Sequence, residues 1–145
     1  MFQNGIGSSG CKDCPKGYSN SGTEAKKCEE CEEGRYNELL KQSTCKGCTT
    51  GKYSTEEGLD AEIKCSTCNA GTYSKAIGAT SQDTCIDCQP GKKGTEVGAT
   101  NEAAACSDCD VNEYRSGTEQ DPTTCLDCPS GTSSSLTGAA KCVDC

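Results

Sequence analysis

Thiols are the one reactive group that this sequence places at a fixed spacing over and over. Sixteen cysteines fall as eight C-x-x-C pairs, opening at Cys11, Cys28, Cys45, Cys65, Cys85, Cys106, Cys125 and Cys142. Two thiols at that spacing support three chemistries: half of a four-thiolate zinc site, a dithiol redox centre, or the joints of a disulfide framework. A redox centre calls for one such motif at the start of a helix in a βαβ domain, which eight copies do not resemble. Zinc is the stronger rival, because pairs of pairs are separated by 13, 16, 17 and 13 residues, within the range of tandem four-cysteine modules. A zinc site uses two pairs, however, so the pattern would repeat every second pair with a distinct linker between sites. The chain also has no His, and its 14 basic against 22 acidic residues give none of the basic surface with which zinc modules dock on nucleic acid. Disulfides are the primary reading and tandem zinc modules the alternative.

No other constellation suggests catalysis. With no His there is no Ser-His-Asp set, no phosphate-binding loop is present, and the carboxylates are spread over every repeat. The chain is therefore expected not to be an enzyme and to need no cofactor. An acidic residue precedes the second cysteine in six of eight pairs, as Asp13, Glu30, Asp87, Asp108, Asp127 and Asp144. These read as a solvated edge that keeps neighbours apart. A sharper alternative is weak calcium binding around Asp108, Asp110, Asn112 and Glu113, without a complete loop motif.

The elements that must hold the thiols emerge when the chain is aligned on the second cysteine of each pair. Three residues later stand Gly17, Gly34, Gly51, Gly71, Gly91, Asn112 and Gly131. Gly and Asn share a tolerance for positive φ, so the position predicts a left-handed turn followed by an extended stretch. All five tyrosines, Tyr18, Tyr36, Tyr53, Tyr73 and Tyr114, follow within four or five residues of such a cysteine. Each is expected to lay an apolar face over a neighbouring disulfide with its hydroxyl in water. A second glycine follows in six copies, as Gly22, Gly58, Gly78, Gly98, Gly117 and Gly138, and reads as a hairpin tip. The copy without one has Glu38-Leu39-Leu40-Lys41, which reads as a single helical turn.

Pair starts lie 17, 17, 20, 20, 21, 19 and 17 residues apart, a period typical of a solenoid whose units touch their neighbours. Leu, Ile, Val and Phe together supply only 13 of 145 residues and the net charge is -8, a composition that without cross-links belongs to disordered chains. Covalent bridges must replace the missing core. A bridge closing about 15 residues contributes roughly 3 kcal/mol in the chain-entropy account. The expected fold is small, disulfide-rich and mostly irregular or β: an elongated rod of short β-hairpin repeats over residues 11–145, with little helix and no globular core. Residues 1–10 form a lead-in.

Two connectivities fit the spacing. One joins the second cysteine of each pair to the first of the next: Cys14 to Cys28, Cys31 to Cys45, Cys48 to Cys65, Cys68 to Cys85, Cys88 to Cys106, Cys109 to Cys125 and Cys128 to Cys142. It leaves Cys11 and Cys145 for bonds to further repeats or to another subunit. The other interlocks successive pairs, Cys11 with Cys28 and Cys14 with Cys31 onward, and uses all sixteen. The first is favoured because the repeat runs per pair.

The string Cys14-Pro15-Lys16-Gly17-Tyr18-Ser19, and the run from Cys68-Asn69-Ala70-Gly71-Thr72-Tyr73-Ser74 through Gly78-Ala79-Thr80-Ser81 to Cys85-Ile86-Asp87-Cys88, resemble the ephrin-receptor-like cysteine-rich repeat. That repeat is similar in turn to the tumour necrosis factor receptor module. Long arrays of this kind look most like protist surface coat proteins, particularly the lipid-anchored immobilisation antigens of ciliates; the variable surface proteins of diplomonads are a weaker match. The resemblance implies an extracellular, non-enzymatic surface or filament protein whose partners are copies of itself or other coat proteins. The alternative is a receptor or adhesion ectodomain, which predicts one concentrated apolar patch, near Ile77 and Ile86 or near Leu39 and Leu40. No N-x-Ser/Thr sequon occurs, and no segment is apolar enough for a signal, a membrane span or a lipid-anchor tail. Targeting and membrane anchoring are expected to lie outside this segment.

Overall fold

A computed structural model describes residues 13–20 and 27–145. Cys11, Gly22 and the lead-in 1–10 lie outside the described residues.

The described residues form seven two-stranded antiparallel hairpins in sequence order, each a separate small sheet. Tyr18–Ser19 pairs with Glu29–Glu30, Arg35–Tyr36 with Lys46–Gly47, and Lys52–Tyr53 with Ser66–Thr67. Thr72–Tyr73 pairs with Ile86–Asp87, and Lys92–Gly94 with Cys106–Asp108. Glu113–Tyr114 then pairs with Leu126–Asp127, and Thr132–Ser133 with Val143–Asp144. Strands of two or three residues cannot stand alone. Each hairpin is closed by one bridge: Cys14–Cys28, Cys31–Cys45, Cys48–Cys65, Cys68–Cys85, Cys88–Cys106, Cys109–Cys125 and Cys128–Cys142. The pairing follows the first of the two connectivities and defines the seven units. A disulfide sulfur is no longer a thiolate, so these fourteen cysteines are not zinc ligands.

Local chemistry explains how each hairpin starts. In every unit the residue after the turn position donates its N–H three residues back, as Tyr18 to Pro15, Lys52 to Thr49 and Thr132 to Pro129. Between them sits a residue with φ from +66° at Asn112 to +89° at Gly71, the bond and backbone of a type II turn. The carbonyl of that residue then accepts the N–H of the cysteine that opens the next unit, from Cys31 on Gly17 to Cys145 on Gly131.

Units differ in length, and a helical turn takes up the difference. The third, fourth and fifth bridges span 17, 17 and 18 residues, against 14 for the first, second and seventh. Just before the returning cysteine these three units carry the 3-10 turns Glu62–Lys64 and Gln82–Thr84 and the short α-helix Glu102–Ala105. Asn101 caps the last of these by accepting the Ala104 N–H at 3.0 Å. The helical turn expected at Glu38–Lys41 is absent: that stretch is bent but not helical. Lys41 has φ +62°, the backbone of the glycines at the equivalent place, so the hydrogen-bonding demand of the neighbouring unit overrides helix propensity.

Among the described residues the buried side chains form two small clusters, with others buried singly along the array, and no globular core. Tyr36 packs with Leu59 and with Cys48 and Cys65, the bridge of the following unit. Tyr73 packs with Ala99, Ala105 and the Cys88–Cys106 bridge of its following unit. Tyrosine thus covers the next disulfide along the chain. Tyr18, Tyr53 and Tyr114 are half-buried.

Candidate functional site

What is most built in this molecule is the joint between units, and three sets of backbone groups make it. The turn N–H of one unit donates to the following unit: Gly17 to Asn37 at 2.7 Å, Gly34 to Ser54 at 3.0 Å, Gly51 to Ser74 at 2.8 Å and Gly91 to Arg115 at 2.6 Å. The residue six places after the second cysteine of a pair, which includes these four acceptors and Gly94, passes its own N–H onward: Asn37 to Leu59, Ser54 to Ala79, Ser74 to Ala99, Gly94 to Pro122 and Arg115 to Ala139. Finally the loop returns a bond, from Lys41 to Cys14, Gly58 to Cys31, Gly78 to Cys48, Gly98 to Cys68 and Gly138 to Cys109. Parallel bridges between Tyr36 and Leu59, Tyr53 and Ala79, and Tyr73 and Ala99 mark the same contact.

Gly58, Gly78, Gly98 and Gly138 are therefore docking positions that press on the preceding unit, not free hairpin tips. Their carbonyls also reach one unit further. A Cβ on Gly34, in the second unit, would lie 2.8 Å from the carbonyl oxygen of Ala79 in the fourth, and closer still to that of Gly78. Gly17 meets Gly58, Gly51 meets Gly98 and Gly91 meets Gly138 in the same way. The turn glycine is needed twice over: its φ is left-handed, and a backbone carbonyl occupies the place of its side chain. Contact thus extends from each unit to the next but one.

The sixth unit solves the joint differently. Gly117 has φ +91°, but the docking carbonyl comes from Pro122, which receives the Gly94 N–H at 2.7 Å and sits over Gly71. Arg115 is only 5% exposed where other units bury Asn37, Ser54, Ser74 or Ser134. Its Nη1 donates to the Lys92 carbonyl at 3.1 Å, and its Nε is 3.9 Å from Glu119. Glu119 in turn accepts the Ser116 N–H, the Ser116 hydroxyl and the Gly117 N–H, each at 2.8 Å. Burial works against its charge, but these donors outweigh burial and hold its pKa at about 2, down from 4.5.

The residue six places after the second cysteine of each pair, buried or half-buried in the joint, was not singled out in the sequence. Its signal was the constant offset of a small polar residue, Asn20, Asn37, Ser54 and Ser74, then Ser134. Such side chains cap their own loops: Ser54 Oγ accepts the Glu56 N–H at 3.0 Å, Ser74 Oγ accepts from Ala76, and Asn37 Oδ1 accepts from Leu39.

The candidate calcium ligands are not brought together. Asp108 pairs with Lys92 at 2.8 Å across its hairpin, Glu113 accepts the Asp110 N–H, and Asn112 faces Ser134. Among the described residues no group of three acidic or thiol side chains is arranged to hold a metal ion. Glu30 takes the Tyr18 hydroxyl at 2.9 Å, while Asp87, Asp127 and Asp144 are exposed on the returning strands. Ile77 and Ile86, at 73% and 49% exposure, and Leu39 and Leu40 are joined on the surface by Ile63, Val97, Val111, Leu126, Leu136 and Val143. Exposed apolar residues therefore occur in every unit from the second to the seventh. Cys145 is a free, exposed thiol in the position that opens a bridge.

These features define a class: a cysteine-rich repeat protein made of seven disulfide-stapled hairpins stacked in sequence. So many bridges point to an oxidising, extracellular setting. Neither any family of known proteins nor any curated protein matches the chain.

Proposed function

We propose that this chain is a non-catalytic structural protein of the cell exterior, a subunit of a surface coat or filament like the ciliate immobilisation antigens whose repeat it resembles. The observation that carries this reading is the even distribution of its surface. Exposed apolar side chains recur in each unit from the second to the seventh, and exposed acidic residues flank the cysteines along the array. A receptor concentrates apolar area in one patch, whereas a coat needs a stiff, soluble and repetitive surface. Its partners are copies of itself or other coat proteins, and membrane attachment comes from an anchor outside this segment.

Electron microscopy of native material labelled with an antibody to this chain tests the proposal. A continuous layer or regular filament is the expected result. Sparse label, together with saturable binding of a soluble protein that maps to a single unit, overturns it in favour of a receptor ectodomain.

A further inference from the structure

Asn112 departs from the joint in a way that affects how far the stack can run. At the other turn positions of the first to fifth units the place of a Cβ is filled by the docking segment two units on: Gly58, Gly78, Gly98, Pro122 and Gly138. Asn112 has the same left-handed backbone, φ +66°, and makes the same bond to the next unit, its N–H donating to Ser134 at 2.9 Å. It nevertheless carries a side chain. The Oδ1 of that side chain accepts the Ser134 N–H at 3.4 Å. In earlier units the equivalent N–H, of Asn37, Ser54, Ser74 or Arg115, goes to the docking carbonyl of the following unit.

We propose that Asn112 is a stacking terminator: its carboxamide imitates the carbonyl of a following unit and its Cβ excludes the real one. Whatever follows the seventh unit, further chain or the end of a second copy, cannot seat its docking segment against the sixth. The obstruction is a Cβ against a backbone carbonyl, which no rotation of the side chain relieves. A chain leaving through Cys145 can still be held by a disulfide and by the Gly131 turn, but it departs from the register of the first seven units.

The test extends the full chain after Cys145 by a copy of residues 49–68, with Asn112 intact and with Asn112→Gly, and follows amide hydrogen exchange. In the regular register the grafted copy of Gly58 donates to the Cys128 carbonyl. Its amide should be slowed by about tenfold or more in the Asn112→Gly chain relative to the Asn112 chain, the scale of one net hydrogen bond. Equal protection in both chains overturns the terminator. In the unextended protein, Asn112→Gly should speed exchange at Ser134 several-fold, with Asn112→Asp retaining the protection because a carboxylate oxygen also accepts. Unchanged exchange at Ser134 in Asn112→Gly sinks the capping role even if the extended chain fails to fold.

Discussion

In the third unit the turn residue Gly51 has φ +78°, and the carbonyl of Gly98, two units on, stands where its side chain would go. In the seventh, Gly131 has φ +85° and nothing within 4 Å of that place. Both are read identically in the sequence, since both need a left-handed backbone. Only the first also needs the absence of a side chain. Glycine in this array thus meets two separable demands, one local and one imposed by a unit two places further along the chain, and substitution can weigh them apart.

The largest effect is expected for Gly51→Ala. The methyl adds a backbone collision to the left-handed penalty, and the docking of the fifth unit on the third should be lost, with a cost of about 3 kcal/mol or more. Thermal unfolding and amide exchange at Gly98 check this. A loss of less than about 1 kcal/mol would show that the two demands do not add at Gly51.

Acid should next separate the sixth unit's joint from the others. Glu119 is held at about 2 in the folded chain against 4.5 ordinarily, so its contribution is complete above about 4.5 and disappears as the pH falls through about 2. Exchange protection of Ser116 and Gly117 should therefore fall over that interval and respond to Glu119→Gln at neutral pH. The joints at Ser54 and Ser74, capped by hydroxyls, should not follow that titration. A parallel loss at all three places would remove the distinction.

A smaller effect is expected for Gly131→Ala, which meets the φ penalty alone and should cost about 1–2 kcal/mol. Comparing its melting shift with that of Gly51→Ala measures the steric half of the glycine requirement directly. Lys41→Gly should go the other way and stabilise by about 1 kcal/mol, because it relieves a left-handed residue with a long side chain. Its ion pair with Asp13, at 3.4 Å and exposed on both sides, is worth little. A destabilised Lys41→Gly protein would mean that the side chain is holding the second unit after all.

Much of this fold was legible because its rules are local. The offset of Gly17 and its counterparts, with Asn112 as the one substitute, is a statement about φ within a four-residue turn. Lys41 and Pro122 were not legible. Nothing near Lys41 demands a left-handed residue; the demand comes from the Cys14 carbonyl that its N–H must reach. Gly117 reads in the sequence as a hairpin tip like the other second glycines, but the loop there folds around Glu119 and presents Pro122 to the neighbouring units. The exposed apolar residues were legible as candidates, and their spread over six units emerged only with the surface.

What the sequence determined by itself was the covalent and torsional plan: a cysteine pair at each hinge, a left-handed turn three residues on, and too little aliphatic surface for any core. These follow from bond geometry and composition, which need no neighbours. The tertiary structure decided which carbonyl meets which N–H across units, why the turn glycines of the first three units and Gly91 must lack a side chain while Asn112 keeps one, and where Arg115 is buried. Those outcomes depend on distances between segments one or two units apart in the chain, and such distances are set only when the hairpins stack.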